Sequence, residues 1–334
     1  MSSFYKLKIS KIINLTDDAV EIFFDIPLSN SKNFTFLPGQ YITIKKYING
    51  TEIRRSYSIC SSPNSGNLSI GVKLLDGGIM STYLCNQLSE GEILEIMPPQ
   101  GNFVLSGKKS LAICSGSGIT PILSMIESNI SDFTLIYGNK TIHSTMFYNR
   151  IIEKDIIKHL VFSKEDVEGC HKGRIDDFFL DKFDNFSKYD SIFICGPGDM
   201  IDNVSSYLIT KGIEKSKIKF EKFFSSNVNK SNIQNSQKNE ILSELTIVVD
   251  GDEFEYKLSS NGESILDSAM NQGIDVPYSC KGGVCCTCKA KVMEGEAIMT
   301  ENFALSEEEV EDGFILTCKA HPKSQSLVVD FDEM

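Results

Sequence analysis

The chain has 334 residues, 41% hydrophobic and 23% charged, with ten cysteines, four histidines and no tryptophan. That length holds two or three domains of ordinary soluble composition, and no segment approaches the ~18 uninterrupted apolar residues of a membrane-spanning helix. The formal net charge of −12 disfavours nucleic acid as a partner.

The charge is uneven. Residues 241–334 hold 6 Lys, no Arg and 19 Asp plus Glu, a balance of −13, whereas the first 240 residues hold 27 basic and 26 acidic groups, a balance of +1. Two readings of the acidic third stand side by side: a solvated face that keeps it soluble, or steering toward a basic docking surface on a protein partner. The N-terminal MSSFYKLKIS alternates polar and apolar residues and lacks the apolar core of a secretory leader. The expected compartment is therefore the cytoplasm, where thiols stay reduced and serve metals or catalysis rather than disulfides.

Residues 4–105 read as short runs of Val, Ile, Tyr, Phe and Thr, broken by turn signals at Pro38-Gly39, Asn49-Gly50 and Pro63-Asn64-Ser65-Gly66. Such spacing predicts an antiparallel barrel or sandwich. A helix over 80–88 interrupts it after Asp76-Gly77-Gly78. Just past a turn lies Arg54-Arg55-Ser56-Tyr57-Ser58. A guanidinium there can clamp a phosphate with two donors, a Tyr ring can lie on an aromatic ligand, and a Ser hydroxyl can bond a heterocycle. Gly78 and Ser81 at the helix start can add phosphate contacts. Taken alone this string is a weak signal, since strand residues of these types more often sit on a surface or in a core.

From Lys109 the pattern becomes strand, Gly-rich turn, helix. A strand over 110–114 leads through Ser115-Gly116-Ser117-Gly118-Ile119-Thr120-Pro121 into a helix over 122–127, so the glycines let backbone approach a pyrophosphate at a helix N-terminus. The next predicted units are a strand over 133–137 with a helix over 146–158, a strand over 160–163, and a strand over 191–195 with a helix over 200–211. Alternating strands and helices predict a parallel sheet covered on both faces, with ligands beyond the strand carboxyl ends. One end carries Tyr137-Gly138-Asn139-Lys140, a cation where a 2′-phosphate needs one; the plain alternative is a solvent-facing Lys. Another carries Cys195-Gly196-Pro197-Gly198, where the plain alternative is a buried structural thiol.

Residues 225–240, SSNVNKSNIQNSQKNE, are polar and aperiodic and read as a linker. The remainder opens with strands over 245–249 and 253–258 and a helix over 264–271, with Asn261 as cap and Gly273 as stop. Then comes the most specific stretch. Cys280 is followed after four residues by Cys285, after two more by Cys288, and after twenty-nine by Cys318. That is the plant-type ferredoxin spacing for a [2Fe-2S] cluster. The loop Lys281-Gly282-Gly283-Val284 can wrap thiolates and turn amides toward sulfur. Cys286 falls outside the ligand pattern and reads as a small loop filler. The alternatives are a structural zinc site or a cluster of reduced thiols, but zinc usually takes two C-x2-C knuckles or Cys/His pairs, and this chain has one C-x2-C and four His.

Taken together these strings resemble the flavin-dependent ferredoxin-NADP reductase superfamily fused to a C-terminal plant-type ferredoxin, and within it the family of reductase components of phenylacetyl-CoA epoxidase systems. The resemblance covers nearly the full length: LPGQYITI and RRSYSICSSP, then GSGITP, IYGNK and FICGPGDM, then SILDSAMNQGIDVPYSCKGGVCCTCK. It implies a multidomain protein: an antiparallel β-barrel flavin domain over 1–106, an α/β parallel-sheet nucleotide domain over 107–224, the linker, and an α+β β-grasp ferredoxin domain over 241–334. By this resemblance Arg55, Ser56, Tyr57 and Ser58 bind FAD, with Arg55 on the pyrophosphate, Tyr57 against the isoalloxazine and Ser58 near N5. Gly78 and Ser81 match its second phosphate element; Gly116, Gly118 and Thr120 match the nicotinamide-nucleotide loop. Cys195 and Gly196 lie by the nicotinamide, Glu221 and Phe223 by the flavin edge, and Lys140 favours NADPH over NADH. Cys280, Cys285, Cys288 and Cys318 are the implied iron ligands, although Lys281 stands where the family commonly has Arg.

The implied activity is an electron relay from NADPH through FAD and the cluster to an external oxygenase component, with Ser58, Cys195 and Glu221 nearest the chemistry. The acceptor favoured by the likeness is a di-iron oxygenase acting on phenylacetyl-CoA. A Rieske dioxygenase, a di-iron hydroxylase or a membrane desaturase would use the same relay, FMN could replace FAD, and a non-catalytic redox sensor is the reading from another class.

Overall fold

The computed structural model describes residues 4–128, 132–183, 185–223 and 240–333. They form two compact units, one over Phe4–Phe223 and one in the C-terminal region. The expected linker, apart from Glu240, lies outside the described residues. Among the described residues no helix is long and apolar enough to cross a membrane.

The first unit opens with six antiparallel strands: β1 (Tyr5–Thr16), β2 (Ala19–Asp25), β3 (Tyr41–Ile48), β4 (Thr51–Ser58), β5 (Leu68–Lys73) and β6 (Ile93–Gln100), with helix α1 (Ile79–Asn86) between the last two. Their order is β4-β3-β6-β1-β2-β5, and an antiparallel bridge from Ile59 to Ile70 joins the two edges into a barrel. Asn49 and Gly50 both take positive φ (51° and 77°), so the expected turn is a two-residue hairpin that fixes the β3/β4 register at Ile48–Thr51. The barrel interior is filled by Leu7, Ile22, Ile42, Ile44, Leu68 and Ile96.

Six parallel strands follow: β7 (Lys109–Ser115), β8 (Asp132–Asn139), β9 (Ile157–Phe162), β10 (His171–Lys172), β11 (Ser191–Gly196) and β12 (Ile218–Lys222), in the order β10-β9-β8-β7-β11-β12. The helices are α2 (Ile119–Glu127), α3 (Tyr148–Ile152), α4 (Asp177–Leu180) and α5 (Gly198–Thr210). Chain order reverses between β7 and β11, which opens a crevice at their carboxyl ends.

Two expectations change here. The helix expected over 146–158 stops at Ile152, because Ile157 onward pairs in parallel with β8 from Thr134. Lys158 seals the helix end, its Nζ donating to the carbonyls of Ile151, Ile152 and Lys154 at 3.3, 2.7 and 2.5 Å. The sheet also has a strand beyond β11: β12, which the mixed polar run Lys219-Phe220-Glu221-Lys222 concealed. Barrel and sheet share one core, since Ala19, Cys60 and Phe103 pack with Ile119, Met125, Tyr137 and Phe193.

The second unit is a mixed five-stranded sheet, β14-β13-β19-β15-β17, built from β13 (Leu242–Val249), β14 (Asp252–Ser259), β15 (Lys289–Glu294), β17 (Phe314–Leu316) and β19 (Ser326–Asp330). A short pair, β16 (Ala297–Met299) and β18 (Ala320–Pro322), lies beside it, with helices α6 (Ile265–Asn271) and α7 (Glu307–Glu311). β13 and β19 run parallel while β13/β14 is a hairpin, and α6 packs Ile265, Leu266 and Ala269 onto Leu245, Ile247 and Val329: a β-grasp. The cap of α6 is Ser264, not Asn261; its hydroxyl accepts from the Asp267 amide at 3.1 Å. Gly273 ends the helix at φ 79° as expected.

Candidate functional site

Strand β4 alternates, so Arg55 and Tyr57 share one face while Ser56 and Ser58 share the other. Arg55 is exposed and its Nη1 donates to the Arg54 carbonyl at 2.7 Å. Tyr57 packs on the barrel core, and burial pushes its phenol up against the opposing effect of Arg55. Ser56 Oγ lies 3.3 Å from Thr43 Oγ1 across the hairpin. Ser58 is buried and donates to Glu221 Oε2 at 3.3 Å. This bond ties the end of β4 to β12, and so the barrel to the last strand of the parallel sheet. Dense protein around the Glu221 carboxyl pushes it up to about 8, with the Ser58 hydrogen bond acting the other way.

Gly78 precedes α1, which starts without a side-chain cap. Its neighbour Ser81 is buried, and its hydroxyl is used within the turn, donating to the Gly78 carbonyl at 3.1 Å and accepting from the Leu75 amide at 3.2 Å. The Ser81 hydroxyl is thus engaged inside the turn, and the backbone amides at the start of α1 are the other polar groups at this end.

The glycine loop lies in the crevice between β7 and β11. A Cβ on Gly118 would sit 2.1 Å from the Cys195 carbonyl oxygen, so only glycine lets the loop close onto β11. Gly116 takes φ 56° with open space where a Cβ would be. Thr120 is buried and donates to the Ser117 carbonyl at 2.9 Å, which makes it a turn-former. Cys195 has no exposed surface; burial first, then Glu221 and Cys114, pushes its thiol well above the ordinary range. It is a neutral group packed beneath the loop. Gly196 lies against Ser115 and Met200, and Phe223 packs on the core that holds Cys114 and Cys195.

Sequence reasoning gave no role to two features of this crevice. Tyr137 is fully buried and its hydroxyl donates to the Gly116 carbonyl at 3.0 Å, pinning the glycine loop from β8. Lys164 follows β9, and its amide donates to the Lys140 carbonyl at 2.9 Å, so two exposed lysines stand on adjacent strand ends. The signal was present, since the strand predicted over 160–163 already ends just before Lys164.

In the second unit the four cysteines gather as two pairs. Cys285 Sγ donates to Cys280 Sγ at 3.1 Å, and Cys288 is hydrogen-bonded to Cys318. The Gly282 amide points at Cys280 Sγ at 3.3 Å, made possible by positive φ at Lys281 (51°) and Gly283 (72°). Cys280 is drawn down to about 6, chiefly by the Cys285 hydrogen bond and then, against burial, by the amides of Gly282, Val284 and Cys285. Cys285 and Cys288 go up, each first because its paired cysteine bonds to it and then through burial. Thr317, another residue the sequence reading left without a role, donates to the Cys288 carbonyl from both amide and hydroxyl (3.1 and 2.9 Å) and so holds Cys318 beside Cys288. Cys286 turns away, its thiol 3.5 Å from the Ala304 carbonyl.

This arrangement fits a two-iron cluster with two sulfurs per iron.

Three family models match the chain: an oxidoreductase FAD-binding domain over residues 6–105, an oxidoreductase NAD-binding domain over 112–206, and a 2Fe-2S iron-sulfur cluster binding domain over 247–323. The E subunit of 1,2-phenylacetyl-CoA epoxidase from Escherichia coli is 38% identical over 353 residues, covering 99% of each chain. The ferredoxin reductase component of 3-ketosteroid-9-alpha-monooxygenase from Rhodococcus rhodochrous is 30% identical over 97% of this chain and 96% of its own. In fold, phthalate dioxygenase reductase superposes with a TM-score of 0.63 at 24% identity over 98% of both chains. A ferredoxin NADP+ reductase from Neisseria gonorrhoeae, solved with FAD and NADP, covers 67% of this chain and 100% of its own with a TM-score of 0.60 at 20% identity. Flavin, nucleotide and iron-sulfur domains in one oxidoreductase chain set the sensor reading aside, and the chain belongs to the ferredoxin-NADP-reductase-like family with a C-terminal [2Fe-2S] domain that includes the reductase component of phenylacetyl-CoA epoxidase.

Proposed function

We propose that this protein takes electrons from NADPH through FAD and a [2Fe-2S] cluster to an oxygenase component, the phenylacetyl-CoA epoxidase being the acceptor favoured by the 38% identical relative. The observation that carries the reading is the Ser58–Glu221 bond at 3.3 Å, which joins the flavin-motif strand to the sheet whose crevice holds the glycine loop. Bound flavin supplies the conversion between two-electron hydride chemistry and single-electron transfer, and the cluster carries electrons singly.

The chain's own residues supply binding and order. Arg55 and the first turn of α1 would hold the flavin pyrophosphate, and Tyr57 would lie against the ring system. Glu221, raised to about 8, keeps a proton on its carboxyl at neutral pH, while its Oε2 accepts from Ser58 Oγ. Gly116 and Gly118 would let nucleotide phosphate approach the start of α2, while Cys195 and Gly196 floor the crevice and Phe223 closes its side. Lys140 with Lys164 supports NADPH over NADH, because two adjacent cations match a 2′-phosphate. Cys280 with Cys285, and Cys288 with Cys318, would each take one iron. Working boundaries are 1–106 for the flavin part, 107–224 for the nucleotide part, 225–240 for a linker and 241–334 for the cluster domain, in a cytoplasmic protein.

The test is reconstitution with purified phenylacetyl-CoA epoxidase oxygenase components. NADPH consumption coupled to epoxide formation supports this acceptor; uncoupled oxidation with no epoxide overturns it. The ketosteroid monooxygenase reductase relative, 30% identical, makes that monooxygenase's terminal component the second acceptor to try.

A further inference from the structure

Helix α2 presents Thr120, Ser124 and Glu127 at i, i+4 and i+7, one face of one helix, and each meets the barrel or a clamp on it. At Thr120 the barrel strand β5 has Gly71, where a Cβ would stand 2.5 Å from Thr120 Cγ2. At Ser124 the hydroxyl donates to the Ser61 carbonyl at 2.7 Å, in a buried position. At Glu127 the carboxylate accepts from Arg150 Nη2 and Nε at 2.7 and 3.2 Å, and Arg150 Nη1 reaches both oxygens of Glu21 at 3.0 Å.

Glu21 lies in the middle of β2 and is 3% exposed, a carboxylate buried on the outer face of a barrel. Ser69 Oγ, at 2.8 Å, and the Cys60 thiol, at 3.5 Å, hold it from the barrel side. Lys154 Nζ lies 3.4 Å from Glu127, so two carboxylates face two cations and the group is neutral. The carboxylates are largely buried while Arg150 and Lys154 keep about a third of their surface in solvent; such a group adds little stability over well-packed apolar residues, but its fork geometry fixes direction, which apolar packing does not. The opposite end of α2, about 13 Å away at 1.5 Å per residue, begins at the glycine loop Gly116–Gly118.

We propose that Arg150 is a positioning residue: together with Glu21 and Glu127 it locks α2 to the barrel as a rail and so sets the approach of the nicotinamide-binding loop to the flavin-binding strand. Misalignment of reacting groups by about 1 Å can cost about a hundredfold in rate, so a loosened rail slows nucleotide-to-flavin transfer more than it weakens nucleotide binding. The inference rests on the electron-relay reading only through the flavin-reduction arm of its test.

That test uses the full-length, cofactor-loaded protein and two variants, Arg150→Lys, which keeps the charge and loses the fork, and Ser124→Ala, which leaves no buried charge behind. Hydrogen–deuterium exchange is followed in peptides covering 119–128, and anaerobic stopped-flow bleaching of flavin by NADPH gives a dissociation constant and a limiting rate. The expected result for Arg150→Lys is faster exchange confined to α2 and a limiting rate about tenfold lower, with the dissociation constant within about twofold of the parent. Ser124→Ala shifts both in the same direction by less. Unchanged α2 exchange, an unchanged limiting rate despite looser α2, or an effect on affinity alone overturns the proposal. If Arg150→Lys does not fold, Ser124→Ala and Glu21→Gln decide it by the same criteria. A parent whose flavin is bleached by neither NADPH nor NADH defeats the relay reading, and the exchange data still decide whether the rail exists.

Discussion

Ser58 Oγ donates to Glu221 Oε2 at 3.3 Å across 163 positions of sequence, joining the end of β4 to β12. The partner carboxyl is held at about 8 rather than near the ordinary glutamate value, by burial. Between those two values the folded chain keeps a proton that the unfolded chain releases, so this group makes stability fall as pH rises from about 5 to about 8. Glu221→Gln removes that slope. Thermal unfolding followed by flavin release should show the variant about 3 °C or more above the parent at pH 8 and closer to it at pH 5. Parallel curves for the two proteins across this range would contradict the assignment.

The thiol pairing separates the four proposed ligands from Cys286. Cys280→Ser removes a sulfur that receives both the Cys285 thiol and the Gly282 amide, so the cluster absorbance should disappear while NADPH still bleaches the flavin. Reduction of cytochrome c through the cluster is lost with it. Cys286→Ala, at a thiol that faces the Ala304 carbonyl, should keep cluster and turnover. Iron content and visible spectra of the two variants check both statements.

The proposed preference for NADPH rests on Lys140 and Lys164, which stand on adjacent strand ends. Replacing both with Ala should raise KM for NADPH at least about tenfold, since a hydrogen-bonded charge is worth roughly 1.5–3 kcal/mol, and leave KM for NADH within about twofold. Steady-state ferricyanide reduction with each coenzyme measures it. Equal losses with both coenzymes would move the 2′-phosphate site elsewhere.

Gly118→Ala places a Cβ where the Cys195 carbonyl oxygen already is, 2.1 Å away. Backbone must move to admit it, at a cost of about 1–3 kcal/mol, and the loop that would hold the nucleotide moves with it. Gly116→Ala meets no atom within 4 Å but keeps φ 56°, so its cost is conformational and smaller. Nucleotide affinity by fluorescence titration should fall in that order.

Much of this was legible in the chain because the signals were local. Asn49-Gly50 announced a hairpin, the Gly116–Gly118 turn announced a strand-to-helix crossover, and the cysteine spacing announced two irons. What escaped was set by tertiary pairing. Ile156-Ile157 continued a helical period, yet β8 captures Ile157 as a strand. β12 hid because one face meets the barrel through Lys219 and Glu221 while the other meets α5 through Lys222, so its polar residues are paired rather than solvated. The hydroxyls of Ser81 and Thr120 bond inside their own turns, a local use that the motif strings did not announce. The Glu21–Arg150–Glu127 group joins residues 129 and 23 positions apart and has no sequence signature at all.

The central claim is that one chain carries electrons from nicotinamide through flavin to a two-iron cluster. The most direct measurement is an anaerobic titration of the purified protein with NADPH and, in parallel, NADH, followed by the flavin and cluster absorbance bands. Bleaching of both bands, with NADPH far more effective than NADH, is the predicted result. Flavin bleaching with an unchanged cluster band, or a preparation with no flavin band, would contradict it.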